Sequence, residues 1–228
     1  MSQVMHHFSL PITNLKSSQE TIPNVIIFGE TGVGKSSVVN MILGSDKAKV
    51  GDGARGQTFQ SSVYPTEING KFYHLYDTVG LGEHSGGTVD SAKAIRCLYQ
   101  LLTNLSNGGG ANLLVFVIRC GRLTETMKKN YNLFHYGFCD SKVPIVIVVT
   151  GCENAEPTMD AWWINNEESF SQAGMLFVGH ACVCASKGGR KRDGSYRNED
   201  LFEESRELIR PLIVQHCMTT GWKKVRHS

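Results

Sequence analysis

The stretch Gly29-Glu30-Thr31-Gly32-Val33-Gly34-Lys35-Ser36 determines how the rest of this sequence is interpreted. It matches the pattern G-x-x-x-x-G-K-[ST] and lies between an apolar run, Val25–Phe28, and an amphipathic run, Lys35–Leu43. A strand, a glycine-rich turn and a helix start together present backbone N–H groups and a positive helix end to an anion. The sequence therefore predicts a phosphate-binding loop, in which Lys35 reaches the β and γ phosphates and the Ser36 hydroxyl is a ligand of Mg²⁺. The residues expected to contact the nucleotide here are Glu30, Thr31, Gly32, Val33, Gly34, Lys35, Ser36 and Ser37.

The composition is that of one folded domain with a large core. The chain has 228 residues, of which 41% are hydrophobic and 19% charged, and its formal net charge is +2. These values exclude disordered and fibrous classes, and the balanced charge predicts that a nucleic-acid backbone is not a partner. Apolar runs such as Val143–Val149 are far shorter than the roughly 20 residues that span a bilayer, so no stable membrane insertion is expected.

The cysteines and the amino terminus predict a cytoplasmic protein. Seven cysteines are scattered along the chain without a C-x-x-C pair, so neither a disulfide framework nor a zinc site is indicated. The first 20 residues lack the basic start and apolar run of a secretory signal. A reducing compartment fits both observations.

Short apolar runs alternate with amphipathic stretches, a pattern that predicts an α/β fold with a mostly parallel sheet. Asn69-Gly70 separates two extended segments and predicts a hairpin, and therefore one antiparallel edge strand. The predicted strands are Val25–Phe28, Ser61–Ile68, Lys71–Tyr76, Leu113–Ile118, Ile145–Thr150 and Leu176–Cys184. The predicted helices are Lys35–Leu43, Ser91–Leu105, Thr124–Phe138, Met159–Ala173 and Asn198–Met218, the last with a kink at Pro211.

A second motif, Asp77-Thr78-Val79-Gly80, follows the third predicted strand. Asp77 is expected to hold Mg²⁺, and the N–H of Gly80 is expected to contact a γ phosphate. Coming after a strand and a phosphate loop, this motif favours a nucleotide switch over a small-molecule kinase. A kinase remains an alternative, although its usual arginine-rich lid has only Lys187–Arg192 as a counterpart.

The order of phosphate loop, switch threonine, D-T-V-G and a late Ala185-Ser186-Lys187 resembles a P-loop GTPase of the translation-factor-related class. The loop is most similar to the septin, GIMAP-like and chloroplast-import-receptor branch. The string from Val149 to Asn154, with Trp162-Trp163 behind it, is similar to fungal single-domain G proteins. The resemblance implies a P-loop G domain: a mostly parallel six-stranded sheet with helices on both faces, GTP or GDP at the carboxyl ends of the strands, and Mg²⁺. It divides the chain into a flexible arm, 1–20, a G domain, 21–218, and a basic tail, 219–228.

Base recognition departs from the family pattern. The usual motif is [NT]-K-x-D, whose lysine stem packs on the base and whose aspartate accepts hydrogen bonds from guanine. Here Thr150, Gly151 and Glu153 occupy the positions of the first, second and fourth residues, so a carboxylate is kept and the stem is lost. Guanine preference is expected to be weakened. The resemblance further implies that the loop with Ser186 and Lys187 contacts guanine O6 through a backbone N–H.

The hydrolytic residues also depart from the pattern. Thr58 matches the switch threonine that completes Mg²⁺ coordination, but Leu81 stands where Ras-like proteins carry the water-positioning glutamine. Slow intrinsic hydrolysis is expected, with His84 as the substitute group, Glu83 as its alternative, or an arginine such as Arg55 given by a partner. The predicted catalytic set is Lys35, Thr58, Gly80 and His84.

The resemblance implies a switch GTPase that is activated by homodimerisation in the triphosphate state. Two alternatives stay open beside the kinase: a nucleotide-dependent scaffold with little hydrolysis, which Leu81 permits, and an NTPase of relaxed specificity that also accepts ATP, which Gly151 and Glu153 permit.

Overall fold

A computed structural model describes residues 21–48, 62–78, 80 and 91–224, and within the last range the side chains from residue 95 onward. Its strands are β1 (Asn24–Phe28), β2 (Ser62–Ile68), β3 (Lys71–Asp77), β4 (Leu113–Arg119), β5 (Ile145–Thr150) and β6 (Gly179–Val183). Its helices are α1 (Lys35–Leu43), α2 (Ser91–Asn107), α3 (Glu125–Asn132), α4 (Ala161–Gln172) and α5 (Glu199–His216). In this part of the chain, no helix combines the length and the apolar character needed to cross a membrane.

The strands form one sheet in the order β2-β3-β1-β4-β5-β6. Four of the five neighbouring pairs are parallel, and only β2 and β3 run antiparallel. The turn between these two strands places Asn69 and Gly70 at φ values of 51° and 76°, the left-handed pair that a tight hairpin requires. The predicted fold class, including its antiparallel edge, is confirmed.

Helices cover both faces of the sheet because β1, β4 and β5 are buried on each side. On one face, Ile26 and Phe28 of β1 pack in a cluster with the apolar stripes of α2, α3 and α4. On the other face, Val25 and Ile27 pack with α1 and α5. Alternate residues of β1 thus anchor opposite layers, and this double packing fixes the strand ends that carry the site.

Two of the described elements differ from the prediction by more than two residues at one end. Strand β6 begins at Gly179, because Leu176 and Val178 are 63% and 51% exposed, and the Leu176 backbone is hydrogen-bonded to the Tyr131 hydroxyl instead of extending the strand. The helix predicted to reach Phe138 is α-helical only to Asn132 and continues as a π-helix over Leu133–Phe138. Helix α5 runs through Pro211 to His216.

Candidate nucleotide site

The carboxyl ends of the five parallel-connected strands meet at one edge of the sheet. Ile27 of β1 is in register with Asp77 of β3, and Arg119 of β4 is in register with Thr150 of β5. Thr150 is in turn aligned with Val183 of β6. Ligands of open α/β sheets bind in the crevice outside such strand ends. The predicted site residues on the segments after β1, β3, β5 and β6 therefore share this edge.

The phosphate loop leaves β1 at Gly29 and enters α1 through Gly34. Gly34 caps the helix at a φ of 96°, a conformation that L side chains rarely adopt. Gly29 has a φ of 152°, and a Cβ there would collide with the carbonyl oxygen of Val117 on β4. Glycine is thus required at both ends of the turn, and the backbone between them can wrap closely around a phosphate.

Lys35 is buried at the first position of α1. Its Nζ donates a hydrogen bond of 2.8 Å to the carbonyl oxygen of Glu30, so the amine lies across the loop. Burial lowers the pKa of Lys35 to about 8, while the nearby charges of Asp77 and Glu30 act in the opposite direction. Burial makes the charged form of Lys35 unfavourable, and an anionic phosphate bound next to the amine would offset that cost.

Ser36 and Asp77 bring two oxygen donors together from α1 and the end of β3. The Ser36 hydroxyl donates a hydrogen bond of 2.8 Å to Oδ2 of Asp77. Burial raises the pKa of Asp77, whereas the bond from Ser36 and the charge of Lys35 lower it. A hydroxyl and a carboxylate oxygen are the ligand types that Mg²⁺ takes in phosphate sites, where the remaining positions go to water and phosphate. The donor set therefore fits magnesium.

Gly80 lies directly against the phosphate loop. A Cβ at this residue would be 2.5 Å from the backbone nitrogen of Thr31 and 2.6 Å from its Cα, and it would also collide with the Thr31 hydroxyl. Only glycine fits this contact. The end of the D-x-x-G segment and the outer part of the loop are therefore in contact. The predicted contact of the Gly80 N–H with a γ phosphate stays a prediction.

Thr150 is buried beneath the phosphate loop, and its side chain makes its contacts with other residues of the protein. Its hydroxyl is 2.6 Å from the carbonyl oxygen of Val33 and 3.2 Å from that of Ile118, and its methyl group lies 3.4 Å from the place of a Cβ on Gly34. On the other side of the loop, the Thr124 hydroxyl caps α3 and is 3.4 Å from a carboxylate oxygen of Glu30. The end of β5 thus supports the phosphate loop from below.

The segment expected to bind the base follows Thr150. Gly151 has a φ of 77°, and a Cβ at this residue would lie 3.6 Å from Cγ and Nε of Arg119. Glu153 is two residues further and half-buried. Arg119 was not among the predicted site residues, although its place directly after the apolar run of β4, at the same sheet edge, was a usable signal.

The loop after β6 carries the two other predicted base contacts. Ser186 is exposed, and its hydroxyl accepts a hydrogen bond of 3.2 Å from the Gly188 nitrogen. The amine of Lys187 lies 3.8 Å from Glu203 and 5.2 Å from the ring centre of Phe202 on α5. This side chain therefore faces α5, and what the loop can offer a base is its backbone.

Two predicted site residues, Thr58 and His84, lie outside the described residues, as do Arg55, Leu81 and Glu83. The remaining predicted residues are distributed over the phosphate loop, the end of β3 and the segments after β5 and β6. Within the described part of the chain, no group of three or more His, Cys, Asp and Glu side chains is arranged to hold a metal ion. A magnesium ion at this edge would depend on Ser36, Asp77 and the nucleotide's own oxygens.

Comparison with known proteins agrees with this arrangement. The family model described as 50S ribosome-binding GTPase matches residues 24–151. Immune-associated nucleotide-binding protein 10 of Arabidopsis thaliana is 33% identical over 140 residues, which cover 60% of this chain and 29% of that protein. GTPase Der of Azoarcus sp. (strain BH72) is 37% identical over 104 residues, covering 46% of this chain and 22% of that protein. The chain thus spans less than a third of the length of these curated relatives.

Solved structures share the fold at low identity. Toc33 from Arabidopsis thaliana in complex with GDP and Mg²⁺ has a TM-score of 0.61 and 18% identity, with 87% of this chain and 88% of that chain covered. Era of Aquifex aeolicus bound to GDP and AlF4⁻ has a TM-score of 0.58 and 17% identity, with 90% of this chain and 60% of that chain covered. At these identities the likeness shows a common fold.

Proposed function

The chain belongs to the family described as 50S ribosome-binding GTPase, and on that basis we propose that it binds guanine nucleotides with Mg²⁺ and hydrolyses GTP as a nucleotide-controlled switch. The observation that carries the proposal is the cluster of Lys35, Ser36 and Asp77. It places a buried cation, a hydroxyl and a carboxylate at the mouth of a glycine-bounded loop. Membership in a GTPase family removes the reason to keep the small-molecule kinase as an alternative.

In the proposed site, Ser36 and Asp77 hold the metal, and Thr58 adds a ligand in the triphosphate state. A magnesium ion held by these residues would supply positive charge to offset the negative charge that develops on the phosphate oxygens during hydrolysis. Lys35 contributes the fixed positive charge next to the same oxygens, and the loop N–H groups from Glu30 to Ser37 orient them. The Asp77 carboxylate also keeps the Ser36 hydroxyl directed into the site, since the two are hydrogen-bonded.

The proposed hydrolysis is slow. Leu81 stands at the sequence position where Ras-like proteins carry the water-positioning glutamine, and an alkyl side chain cannot hydrogen-bond to an attacking water. His84 is the proposed substitute, and Gly80 contributes its N–H to the γ phosphate. A chain that bound GTP with no turnover would instead be a scaffold that uses the nucleotide only to set its conformation.

The proposed base site uses the carboxylate of Glu153 and the loop with Ser186 and Lys187. A carboxylate accepts hydrogen bonds from the N1 and N2 groups of guanine, which adenine does not offer. Glu153 is longer than the usual aspartate, so we expect a smaller preference for guanine than in proteins with the [NT]-K-x-D motif.

The proposed partner is a second copy of this chain in the triphosphate state. Dimerisation is important for the GTPase activity of the chloroplast translocon components atToc33 and psToc159, whose solved structure matches this chain with a TM-score of 0.63 and 17% identity. The chloroplast-import receptors belong to the branch whose phosphate loop this chain resembles. The seven cysteines are all free thiols, which supports the cytoplasm as the proposed compartment.

Nucleic acid is not among the proposed partners, because the net charge is only +2. One solved relative, Era, is described in complex with nucleotides of 16S ribosomal RNA. A mobility-shift assay with ribosomal RNA would test this point directly, and a salt-resistant shift would overturn it.

The decisive experiment is calorimetry of GDP and ADP binding with Mg²⁺, combined with phosphate release from GTP at increasing protein concentration. We expect GDP to bind more tightly than ADP, and turnover per molecule to rise with concentration as dimers form. Lys35→Ala should abolish binding. Tighter binding of ADP would overturn the guanine assignment, equal binding would show the relaxed NTPase, and absent turnover at every concentration would show the scaffold.

A further inference from the structure

We propose that Arg119 forms the surface on which the base stacks, in the place that the missing lysine stem leaves open above Gly151. The inference rests on the proposed function, because it assigns a residue of the same nucleotide site. It is carried by the position of the Arg119 side chain relative to the segment after β5.

The Arg119 side chain lies next to the backbone of Gly151. Arg119 ends β4 and is in register with Thr150, so its Cα lies beside the start of the base-binding segment. A Cβ on Gly151 would lie 3.6 Å from both Cγ and Nε of Arg119. The arginine side chain therefore runs alongside Gly151, in van der Waals contact with the position where a side chain at that residue would begin.

Arg119 carries an exposed positive charge at the end of β4. The pKa of Cys120 is raised chiefly by burial, and among the smaller influences are Glu153, which raises it, and Arg119, which lowers it. Both charges thus act on one thiol at the end of β4. Arg119 is exposed, and among the ion pairs of the described residues none includes it. The guanidinium and the carboxylate proposed to bind guanine therefore both influence this thiol, and the guanidinium has no ion-pair partner among the described residues.

The chemistry fits a planar base. A guanidinium is flat, delocalised and weakly hydrated, so it stacks on aromatic faces, and its methylene groups add apolar contact. A lysine stem offers the same methylene contact but lacks a planar group that can stack on the base. The left-handed backbone of Gly151 disfavours any longer side chain there. The loss of a stem at 151 and an arginine at 119 are therefore complementary features of one surface.

The test is calorimetry with GDP and Mg²⁺ at about 0.05 M and about 0.5 M salt, using Arg119→Ala, Arg119→Lys and Arg122→Ala. Arg122 is an exposed arginine three residues further along, and its removal changes the charge equally. We expect Arg119→Ala to weaken GDP binding by about fivefold to a hundredfold, the range that stacking on one side chain covers, at both salt concentrations. Arg119→Lys should keep part of the affinity, and Arg122→Ala should bind as the wild type does.

Three results would overturn this inference and leave the proposed function standing. The first is an unchanged GDP affinity in Arg119→Ala, and the second is an equal loss of affinity in Arg122→Ala. The third is a loss of affinity that disappears at the higher salt concentration, which would show a general charge effect. A wild-type protein that binds no GDP would overturn the proposed function, and this inference with it. A thermal melt of each variant shows whether a loss of GDP affinity comes from unfolding. If Arg119→Ala is unfolded, the GDP affinity of Arg119→Lys decides the question.

Discussion

The hydroxyl of Thr150 lies 2.6 Å from the carbonyl oxygen of Val33, so the last residue of β5 is hydrogen-bonded to the phosphate loop after β1. The two residues are 117 positions apart in sequence and both are buried. In the family pattern the residue at this position introduces the base-binding segment. Here the same residue supports the phosphate loop, so Thr150 connects that loop to the segment proposed to bind the base.

Thr150→Val should weaken GDP binding and destabilise the fold. Valine has nearly the same shape, but it leaves the buried Val33 carbonyl without its donor, at a cost of roughly 1–3 kcal/mol. Urea unfolding measures the stability change, and calorimetry measures the affinity. Thr150→Ser keeps the hydroxyl and serves as the control. If valine and serine behaved alike, the hydrogen bond to Val33 would not be what supports the loop.

Lys35→Met should make the nucleotide-free protein more stable at neutral pH while abolishing GDP binding. Burial lowers the pKa of Lys35 from 10.5 to about 8, so the folded state disfavours the charged amine. Below pH 8 the full free-energy cost of the buried charge is present. The cost decreases as the pH rises from about 8 to 10.5, because in this range the amine is protonated in the unfolded chain and neutral in the folded protein. The gain at pH 7 should be up to about 3 kcal/mol.

The measurement is urea unfolding of wild type and Lys35→Met between pH 7 and pH 10.5. The stability advantage of the variant should shrink as the pH rises, because the wild type sheds its buried charge. An advantage that stayed constant with pH would mean that the amine is not desolvated in the folded protein.

Asp77→Asn should separate metal binding from stability. Burial raises the pKa of Asp77, so the ionised carboxylate lowers the stability of the fold at neutral pH. This cost shrinks as the pH falls from the raised pKa towards the ordinary value of 3.8, because the folded state then binds the additional proton. The amide removes the charge and keeps an oxygen that can accept the hydrogen bond from Ser36. We expect a higher unfolding midpoint for Asp77→Asn. We also expect the increase in GTP affinity that Mg²⁺ causes to be smaller in the variant by about tenfold or more. Functional sites commonly combine lower stability with function in this way.

Magnesium titrations of GTP binding, followed by calorimetry, measure the second effect. Glu67→Gln, on the edge strand β2, removes an equal charge away from the site and should leave the titration unchanged. Retained magnesium dependence in Asp77→Asn would assign the metal to other ligands.

Most of the fold could be predicted from the sequence because its strongest signals are local. Buried parallel strands such as Ile145–Thr150 are continuous apolar runs, and Asn69-Gly70 marks the one antiparallel turn. The error at β6 had the same origin, since Leu176 and Val178 extend the apolar run although they are exposed. The π-helix at Leu133–Phe138 has no comparable sequence signal, because its helical periodicity continues from α3.

The parts of the site that could be predicted are motifs with a recognisable position in the sequence relative to a strand. The phosphate loop and Asp77 lie directly after strands, so the fold brings them together once the strand order is known. The bond from Thr150 to Val33 and the passage of Arg119 over Gly151 depend on side-chain directions across separate strands. No spacing rule within the chain expresses such contacts, and only the structure reveals them.

Gly80→Ala should impair GTP binding by more than about tenfold through a purely steric effect. A Cβ at residue 80 would be 2.5 Å from the Thr31 nitrogen, and backbone cannot yield as a flexible side chain can, so the D-x-x-G segment must move away from the loop. Calorimetry with a non-hydrolysable GTP analogue measures the loss. Gly108→Ala is the control, since a Cβ there would have its nearest neighbour at an ordinary 3.7 Å. Equal GTP binding by both variants would show that Gly80 need not contact the loop in the nucleotide-bound protein.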